Sequence, residues 1–386
     1  MKIVLLSFSD YMGGANIAAY KIYKSFKKKN IKFLTLYSKK KDSIAAYEIF
    51  GKFYINILRV LEKIIIKIFL KKKFHQSLNI FNSFLKSKIN KMRPDILNIH
   101  WINRSTISLS EIQELNCKIL ISLHDMWFLN STEHYFLNNY NNEDFISTFC
   151  FNKKKELVKK NGVYFVAHNR WMLNKFKNLF PKFKSKIFLC NYYPIDSNLF
   201  KPRNKIKLRK KYKIPLRKKI ILFSAQDISD HRKGYKYFLE IVHNLKNNND
   251  IFFLSIGKNF NENGDLKNLK HLNFMSHEKI SEIYSLSDIF ICTSIIDNLP
   301  LTILEALSSG NVVFSFKNGG AREILKSIGY SFKFSEKNKL LTKLKTITSD
   351  QIKIKSKQSR TFALKHLNKN RISQQYINIF KKINQF

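Results

Sequence analysis

Two carboxylates separated by a short stretch are the first candidates for chemistry. Asp297 follows an apolar run that predicts a buried strand, and Glu305 lies on the helix predicted to begin at Pro300, where a missing N–H costs nothing. Both acids then lie at the carboxyl edge of a sheet, where open α/β sheets bind nucleotides. Carboxylates accept hydrogen bonds from sugar hydroxyls, and the helix amino terminus at Asn298 and Leu299 offers N–H groups to a phosphate.

A cationic turn occurs earlier in the same half. Arg232 and Lys233 precede Gly234, shortly after the apolar run 220–224 ends. A cation at a strand end can stabilise the charge that develops on a departing diphosphate. In so basic a chain the alternative interpretation is a solvated surface lysine, and the residues alone leave both open.

The amino-terminal half offers a glycine turn and a histidine. Gly13 and Gly14 separate the first apolar run from a helical pattern, as a turn must if its N–H groups approach a phosphate or sugar. His-Trp at 100–101 and His-Asp-Met-Trp at 124–127 each follow a predicted strand. A histidine such as His124 at a strand end can hydrogen-bond a ligand, or it can be an ordinary half-buried residue.

The elements that must position these residues alternate short apolar runs with helical periodicity, which is typical of strand-helix-strand units on parallel sheets. The predicted strands are 2–7, 33–37, 96–100, 118–122, 164–167 and 186–190, then 220–224, 252–256, 272–274, 289–293 and 312–316. Pro and Asn interrupt the pattern at 191–196. We therefore predict an α/β protein with two domains in tandem, 1–195 and 196–365, and a final helix over 366–386.

Several segments together resemble one enzyme family. The stretch 293–307 resembles the E-x7-E region of retaining family-4 (group 1) glycosyltransferases, with Asp297 in place of the first Glu. Residues 230–235 resemble the R/K-G turn of that family, and 317–323 resemble its G-G-x-x-E turn. His-Asp-Met-Trp at 124–127 resembles a subgroup that assembles bacterial surface polysaccharides, colanic acid-type transferases among them. The resemblance runs in order along nearly the whole chain.

The resemblance implies the GT-B fold, in which two Rossmann-like domains face each other across a cleft. The first domain is then expected to bind the acceptor and the second the nucleotide sugar, and the final helix is expected to pack back toward the first domain. Asp297 would hold the donor sugar, Glu305 the ribose and Lys233 the diphosphate, while Arg232 would replace an arginine that the family usually places several residues before the lysine. His124 would contact the donor sugar beside the anomeric carbon.

The implied reaction is retaining transfer of a hexosyl group from a nucleotide sugar to a saccharide or lipid-linked acceptor. Its setting would be the synthesis of O-antigen in lipopolysaccharide, of capsule or of exopolysaccharide, and neither a metal nor another cofactor is expected. The expected catalytic residues are His124, Glu305 and Lys233. The expected donor-binding residues are Gly13, Gly14, Arg232, Asp297, Asn298, Leu299 and Glu305.

Charge is the strongest anomaly of composition. The chain has 70 Lys and Arg against 27 Asp and Glu, a formal net charge of +43, which favours nucleic acid or an anionic membrane as a partner. No recognition helix, zinc-finger or aromatic RNA-binding signature accompanies the charge, so we expect no nucleic acid partner. A basic nucleic-acid-binding protein remains one alternative function, and a sugar-nucleotide epimerase or phosphorylase on the same fold is the other.

One segment, 52–73, predicts a basic amphipathic helix. Its polar stripe comprises Lys52, Asn56, Arg59, Lys63, Lys67 and Lys71, and its apolar face comprises Ile55, Leu58, Leu61, Ile65, Ile68 and Phe69. Such a helix, followed by three lysines at 71–73, suits an anionic membrane surface. A core-packed helix with solvated lysines is the alternative.

The cellular location is predicted from cysteine and hydropathy. The four cysteines are widely spaced and form no zinc or disulfide pattern, which indicates a reducing compartment. The first residues predict a buried strand rather than a signal peptide. No uncharged apolar run approaches the roughly 18 residues needed to cross a bilayer. We expect a cytoplasmic protein, peripheral on the inner face of the cytoplasmic membrane.

Overall fold

Two parallel sheets organise the chain in the computed structural model. The residues described are 1–26, 29–47, 49–70, 75–136, 144–259 and 266–385. They form two compact units, of which unit 1 is Met1–Tyr192 with Lys369–Phe386 and unit 2 is Tyr193–Asn368. Each sheet and its helices form a Rossmann-like layer structure, so the predicted fold class is confirmed.

The sheet of unit 1 is apolar because helices cover both of its faces. All seven residues of its first strand, Ile3–Ser9, are buried, as is typical of parallel strands. The strands are β1 (Ile3–Ser9), β2 (Ile31–Tyr37), β3 (Ser43–Ala45), β4 (Ile96–Ile99), β5 (Lys118–Leu123), β6 (Val163–Ala167) and β7 (Ile187–Leu189). They lie in the order β3-β2-β1-β4-β5-β6-β7. The order reverses between β1 and β4, the kind of point at which such sheets bind ligands.

Helices of very different exposure flank this sheet. They are α1 (Gly14–Ser25), α2 (Ile49–Phe69), α3 (Leu85–Met92), α4 (Leu109–Gln113), α5 (Phe145–Lys159) and α6 (Arg170–Leu179). On α2, Ile55 and Leu58 pack against Phe8 and Leu36 of the sheet. The opposite side of α2 is exposed although it is largely apolar. None of the described helices is both long enough and apolar enough to pass through a bilayer.

Unit 2 repeats the arrangement with a smaller sheet. Its strands are β8 (Lys219–Asp227), β9 (Ile251–Lys258), β10 (Leu269–Leu272), β11 (Ile289–Cys292), β12 (Val312–Phe316) and β13 (Tyr330–Phe332). They lie in the order β10-β9-β8-β11-β12-β13, which reverses between β8 and β11. The helices are α7 (Lys205–Lys211), α8 (Tyr235–Asn244), α9 (His277–Leu286), α10 (Leu301–Ser308), α11 (Ala321–Ile328), α12 (Lys337–Thr346) and α13 (Ser349–His366).

The last helix, α14 (Lys369–Gln385), belongs to unit 1. Its Tyr376 hydroxyl lies 3.2 Å from Ser122 Oγ at the end of β5. The rings of Tyr376 and Phe380 pack at 6.1 and 6.0 Å from the ring of Phe26, just after α1. The chain therefore returns to unit 1 after completing unit 2.

The predicted strands coincide with observed ones to within a few residues, with one exception. The prediction of a strand at 272–274 is wrong, because β10 ends at Leu272. Pairing with β9 places the strand at 269–272, with Leu269 opposite Phe253 and Leu272 opposite Ile256. The strands β3 and β13, of three residues each, were not predicted.

Candidate functional site

Three loops of unit 2 meet at the carboxyl ends of neighbouring strands. They follow β8, β11 and β12 and contain residues 230–234, 293–300 and 317–320. The N–H of Ile295 donates to the carbonyl of Arg232 at 2.8 Å, and the N–H of Gly320 donates to the carbonyl of Asn298 at 3.0 Å. These bonds hold the loops that carry the predicted donor-binding residues against one another.

Two glycines make this close approach possible. Gly234 has a φ of +71°, and a Cβ there would lie 2.0 Å from the carbonyl oxygen of Thr293. Gly319 has a φ of +66°, and its Cβ would lie 1.7 Å from the carbonyl oxygen of Asp297. No side chain fits in either place, so the predicted glycine turns are required by contact between backbones as well as by positive φ.

The carboxylate of Asp297 is the centre of the site. Its Oδ2 accepts hydrogen bonds from Lys233 Nζ at 2.6 Å and from Arg232 Nη1 at 3.1 Å. Asp297 is only 7% exposed. Burial alone would raise the pKa of Asp297, but the charges and hydrogen bonds of Lys233 and Arg232 outweigh burial and hold the pKa below its ordinary value. The carboxylate is therefore ionised and paired.

The cations of this site are held less deeply than the acid. Arg232 and Lys233 lie in a short 3-10 helix, His231–Lys233, which Asp230 caps by accepting a hydrogen bond from the N–H of Arg232. Their side chains are 19% and 26% exposed, so both can reach a ligand from the solvent side. A diphosphate could bind here by sharing the two cations with Asp297, since guanidinium and ammonium groups are strong phosphate donors.

The helix α10 contributes its amino terminus and Glu305. No side chain caps the helix at Pro300, among the residues described. Its first N–H groups are thus available to an anion. Asn298 and Leu299 are buried in the preceding loop, and Glu305 is buried on the helix. Burial, and then the charge of Glu305, raises the pKa of Tyr284 well above its ordinary value.

In unit 1, His124 belongs to a stack of histidines. His100, His124 and His168 follow β4, β5 and β6, which are adjacent in the sheet. His100 Nδ1 lies 2.8 Å from His124 Nε2, and the ring of His168 stacks on that of His124 at 5.3 Å. Burial, then the neighbouring imidazoles, lowers the pKa of His124 well below its ordinary value. Burial lowers the pKa of His168 to about 3. The stack is therefore neutral near pH 7, and one of the first two rings donates to the other.

Asp125 organises the loop that follows His124. Its Oδ2 lies 2.7 Å from His134 Nδ1 and accepts from the indole N–H of Trp101 at 3.1 Å, while Oδ1 accepts from the N–H of Trp127. Burial would raise the pKa of Asp125, but His134 and these donors keep it lower than usual. The sequence motif contains Asp125, whereas nothing in the sequence links it to His134. His100, Trp101, His124 and Asp125 line a small cavity of about 20 Å³, enough for one water.

Lys154 is a further residue of interest that no sequence motif marks. It is completely buried on α5, where its ammonium group donates to the carbonyls of Trp127, Asn130 and Ser131 at 2.6, 2.9 and 2.8 Å. It also lies 3.7 Å from the centre of the Trp127 ring. Burial lowers the pKa of Lys154 to about 7. Lys154 thus fixes the backbone of the loop that begins at Asp125.

The two glycines of the first turn differ in their surroundings. Gly13 has a φ of +77° and precedes α1, and no side chain caps that helix among the described residues. A Cβ on Gly14 would have no atom within 4 Å. The turn thus leaves room for a ligand near the amino terminus of α1. Gly13, Gly14 and His124 lie in unit 1, whereas the other predicted site residues lie in unit 2.

A metal site has no support from side-chain positions. No group of three or more His, Cys, Asp or Glu side chains in the described ranges could hold a metal ion. The expectation that the reaction needs no metal or cofactor stays a prediction.

A known family model matches most of unit 2. Residues 204–364, which include Arg232, Lys233, Asp297 and Glu305, match the family model of glycosyl transferases group 1. Residues 204–364 are therefore similar to group 1 glycosyl transferases, the family that the sequence resemblance predicted. A curated relative, uncharacterized protein 356 of Sulfolobus islandicus rod-shaped virus 1, is 29% identical over 168 residues. That match covers 40% of this chain and 44% of the relative.

Solved structures share the architecture of the whole chain. Anabaena HepE in complex with UDP is 16% identical, with a TM-score of 0.69 over 99% of this chain and 100% of HepE. WaaG, a glycosyltransferase involved in lipopolysaccharide biosynthesis, is 10% identical, with a TM-score of 0.67 over 97% and 99% of the two chains. These likenesses show that the chain has the GT-B fold.

Proposed function

We propose that the protein transfers a sugar from a nucleotide-sugar donor to an acceptor, with retention at the anomeric carbon. The observation that carries the proposal is the trio of Arg232, Lys233 and Asp297 at the carboxyl edge of β8 and β11, within the residues that match the group 1 family. Two cations that a single buried carboxylate holds in place form a preorganised site for a diphosphate. The UDP bound by HepE supports a nucleotide donor for this chain.

The chemistry follows from where charge develops. The bond between the anomeric carbon and the diphosphate oxygen breaks, a bond from the acceptor oxygen to that carbon forms, and the acceptor proton passes to an oxygen of the departing diphosphate. Negative charge accumulates on the departing diphosphate, where Lys233, Arg232 and the amino terminus of α10 stabilise it. Glu305 would bind the ribose, and Asp297 would bind the donor sugar through Oδ1 while its other oxygen retains the cations. The two cations and the helix terminus thus stabilise the leaving diphosphate, while the two acids position the donor.

His124 is proposed to contact the donor sugar. Its imidazole is neutral, because burial and His100 oppose protonation. A neutral ring can accept from or donate to a hydroxyl without placing a charge beside an electron-poor anomeric carbon. The Gly13 turn, with the free N–H groups of α1, is proposed to assist donor binding.

The acceptor is proposed to be a saccharide or lipid-linked saccharide of a bacterial surface polysaccharide, such as O-antigen, capsule or exopolysaccharide. The His-Asp-Met-Trp segment and the likeness in fold to WaaG, which acts in lipopolysaccharide biosynthesis, support this setting. The likeness in fold does not distinguish among these polymers, so the proposal rests mainly on the His-Asp-Met-Trp segment at 124–127.

The exposed side of α2 supports an anionic membrane as partner, with the protein on the inner face of the cytoplasmic membrane. Phe53 is 67% exposed and Val60 55% exposed, and Ile57, Ile64 and Ile68 share their side of the helix. Lys63 and Lys67 are exposed beside them. An apolar stripe edged by lysines suits the boundary between head groups and acyl chains. The lysines 71–73 lie outside the described residues.

The direct test is transfer from a panel of nucleotide sugars to saccharide and lipid-linked acceptors. We expect Glu305→Gln and Lys233→Met to lower transfer at least tenfold, and exposed Lys236→Met on α8 to serve as the matched control. Transfer with inversion would refute retention. Epimerised donor, or a sugar phosphate formed only with added phosphate, would instead support the epimerase or phosphorylase alternative. Salt-sensitive nucleic acid binding without donor binding would support the remaining alternative.

A further inference from the structure

Two arginines of unit 1 lie beside one aromatic ring. Arg59 is on α2 and Arg104 is in the loop after β4, and their guanidinium carbons lie 5.5 and 5.4 Å from the centre of the Phe8 ring. Arg59 also donates to the hydroxyl of Tyr37 at 3.0 Å, and Arg104 lies 5.7 Å from the Trp101 ring. Phe8, Tyr37 and Trp101 lie at the carboxyl ends of β1, β2 and β4. The arginines therefore occupy the edge at which doubly wound sheets bind ligands.

The pair carries two positive charges without a carboxylate. Within the described residues neither arginine forms a salt bridge with an acid, the hydrogen bonds of Arg59 go to Tyr37 and Asn56, and Arg59 Nε is buried without an acceptor. Burial, and then repulsion from Arg59, lowers the pKa of Arg104. Arg59 is partly buried and Arg104 is exposed, so a ligand can reach the pair from solvent, and the two like charges repel each other unless an anion binds near them. The arrangement is therefore that of an anion site.

The backbone is strained to place Arg104 there. Arg104 and Ser105 have φ values of 64° and 56°, two consecutive left-handed residues with side chains. The hydroxyl of Ser105 donates to the carboxylate of Glu62, which is buried on α2 and also accepts from the N–H of Leu78 at 2.9 Å. Glu62 lies one turn from Arg59. The same helix thus supplies one arginine and fixes the loop that presents the other, and strain of this kind concentrates at functional sites.

We propose that Arg59 and Arg104 bind the phosphate of a lipid-linked acceptor. The inference rests on the proposed function, and it adds the chemical class of the acceptor. Guanidinium groups match the oxygens of a phosphate in bidentate geometry, and two of them match a doubly charged phosphate or a diphosphate. A lipid is favoured because α2 carries both Arg59 and the exposed apolar stripe. The bond from Arg59 to Asn56, an exposed residue, extends the site toward that stripe.

The first experiment measures inorganic diphosphate binding by titration calorimetry, in an Arg232→Gln, Lys233→Met background that removes both cations of the donor site. We expect Arg59→Gln with Arg104→Gln to weaken binding at least tenfold. Arg217→Gln with Arg371→Gln removes the same charge from two exposed positions and should change binding less than twofold. Arg59→Lys with Arg104→Lys keeps the charge and should still weaken binding severalfold. Equal binding by all variants that keep a native melting temperature would overturn the site.

The second experiment identifies the source of the phosphate. Vesicles of phosphatidylcholine are mixed with either phosphatidic acid, which has a terminal phosphate, or phosphatidylglycerol, at equal surface charge. We expect the protein to prefer phosphatidic acid, and the Arg59→Gln, Arg104→Gln variant to lose only that preference. Loss of diphosphate binding without any lipid preference would overturn the lipid and assign the site to a soluble phosphorylated acceptor. Nucleotide-sugar binding must survive in this variant, because its loss would indicate damage to the donor site instead.

Discussion

The ammonium group of Lys233 lies 2.6 Å from the carboxylate of Asp297. Asp297, which we expect to bind the donor sugar, therefore neutralises the charge of Lys233, which we expect to bind the diphosphate. Arg232 reaches the same oxygen at 3.1 Å. Since Oδ2 takes both cations, only Oδ1 is left to accept from a sugar. The shorter side chain of aspartate, compared with the family's glutamate, thus keeps the acid close to the cations.

Asp297→Asn should separate these two roles. The net charge around Arg232 and Lys233 rises by one, so a nucleoside diphosphate should bind at least as tightly as to the wild type. Transfer from the complete nucleotide sugar should fall roughly tenfold or more, the effect of losing a charged hydrogen bond. Titration calorimetry and initial rates measure the two effects. If diphosphate binding and transfer fall together, Asp297 acts only by positioning Arg232 and Lys233. Partial recovery of transfer in Asp297→Glu would show that the lost carboxylate caused the fall.

Gly234→Ala should damage unit 2 and its donor site together. The new Cβ would meet the Thr293 carbonyl oxygen at 2.0 Å in addition to adopting a φ of +71°. We expect a loss of stability of at least about 2 kcal/mol, with loss of nucleotide binding. Gly162→Ala is the control, because its φ of +75° is similar but its Cβ would enter open space. That variant should lose only about 1 kcal/mol. Thermal unfolding of both variants measures the difference in stability. Equal shifts in melting temperature would show that a small backbone movement relieves the contact with Thr293.

Lys154 predicts a pH dependence of stability. Its pKa is about 7 when folded and 10.5 ordinarily, so between these values the unfolded chain holds a proton that the folded chain lacks. Unfolding then takes up a proton, and the free energy of unfolding should rise with pH by up to about 1.4 kcal/mol per pH unit. Lys154→Met should lack this rise, whereas Lys155→Met, at an exposed position, should keep it. Denaturant unfolding from pH 7 to 10 provides the measurement. Parallel curves for wild type and Lys154→Met would mean that the three carbonyls fully offset burial of the charge.

Charge reversal on α2 tests the membrane proposal. Lys63→Glu with Lys67→Glu should lower sedimentation with anionic vesicles more than tenfold, since each lysine near such a surface contributes about 1 kcal/mol. Lys353→Glu with Lys357→Glu makes the same change at the same spacing on exposed positions of α13. If both pairs reduce binding equally, the attraction comes from the net charge of +43 and not from α2.

The sequence was sufficient for the fold because buried parallel strands are short, apolar and separated by amphipathic helices. It was also sufficient to bring Asp297 near Lys233, since both follow strands that end at one sheet edge. The sequence did not predict contacts between side chains that no sequence pattern links. The approach of His134 to Asp125, or of Lys154 to three carbonyls, has no periodic signature, and a lysine inside a lysine-rich run is indistinguishable from its solvated neighbours.

The interpretation of α2 shows the same limit. The sequence predicted one apolar face, but Ile55 and Leu58 are buried whereas Phe53 and Val60 are exposed. Helical periodicity identifies which residues share a side, and it cannot identify which side meets the sheet when both are apolar. The pairing of Arg59 with Arg104 was equally inaccessible, because it depends on two left-handed residues that are neither glycine nor asparagine.

The return of α14 to unit 1 has a consequence for biosynthesis. Unit 2 is continuous in the chain, from Tyr193 to Asn368, and can fold as soon as it leaves the ribosome. Unit 1 cannot bury Ser122 or Phe26 against Tyr376 until the last helix has been translated. Residues 1–192 are therefore translated before unit 2, but unit 1 completes its folding after unit 2. If translation stops before α14, the surface of unit 1 that α14 covers stays exposed to solvent.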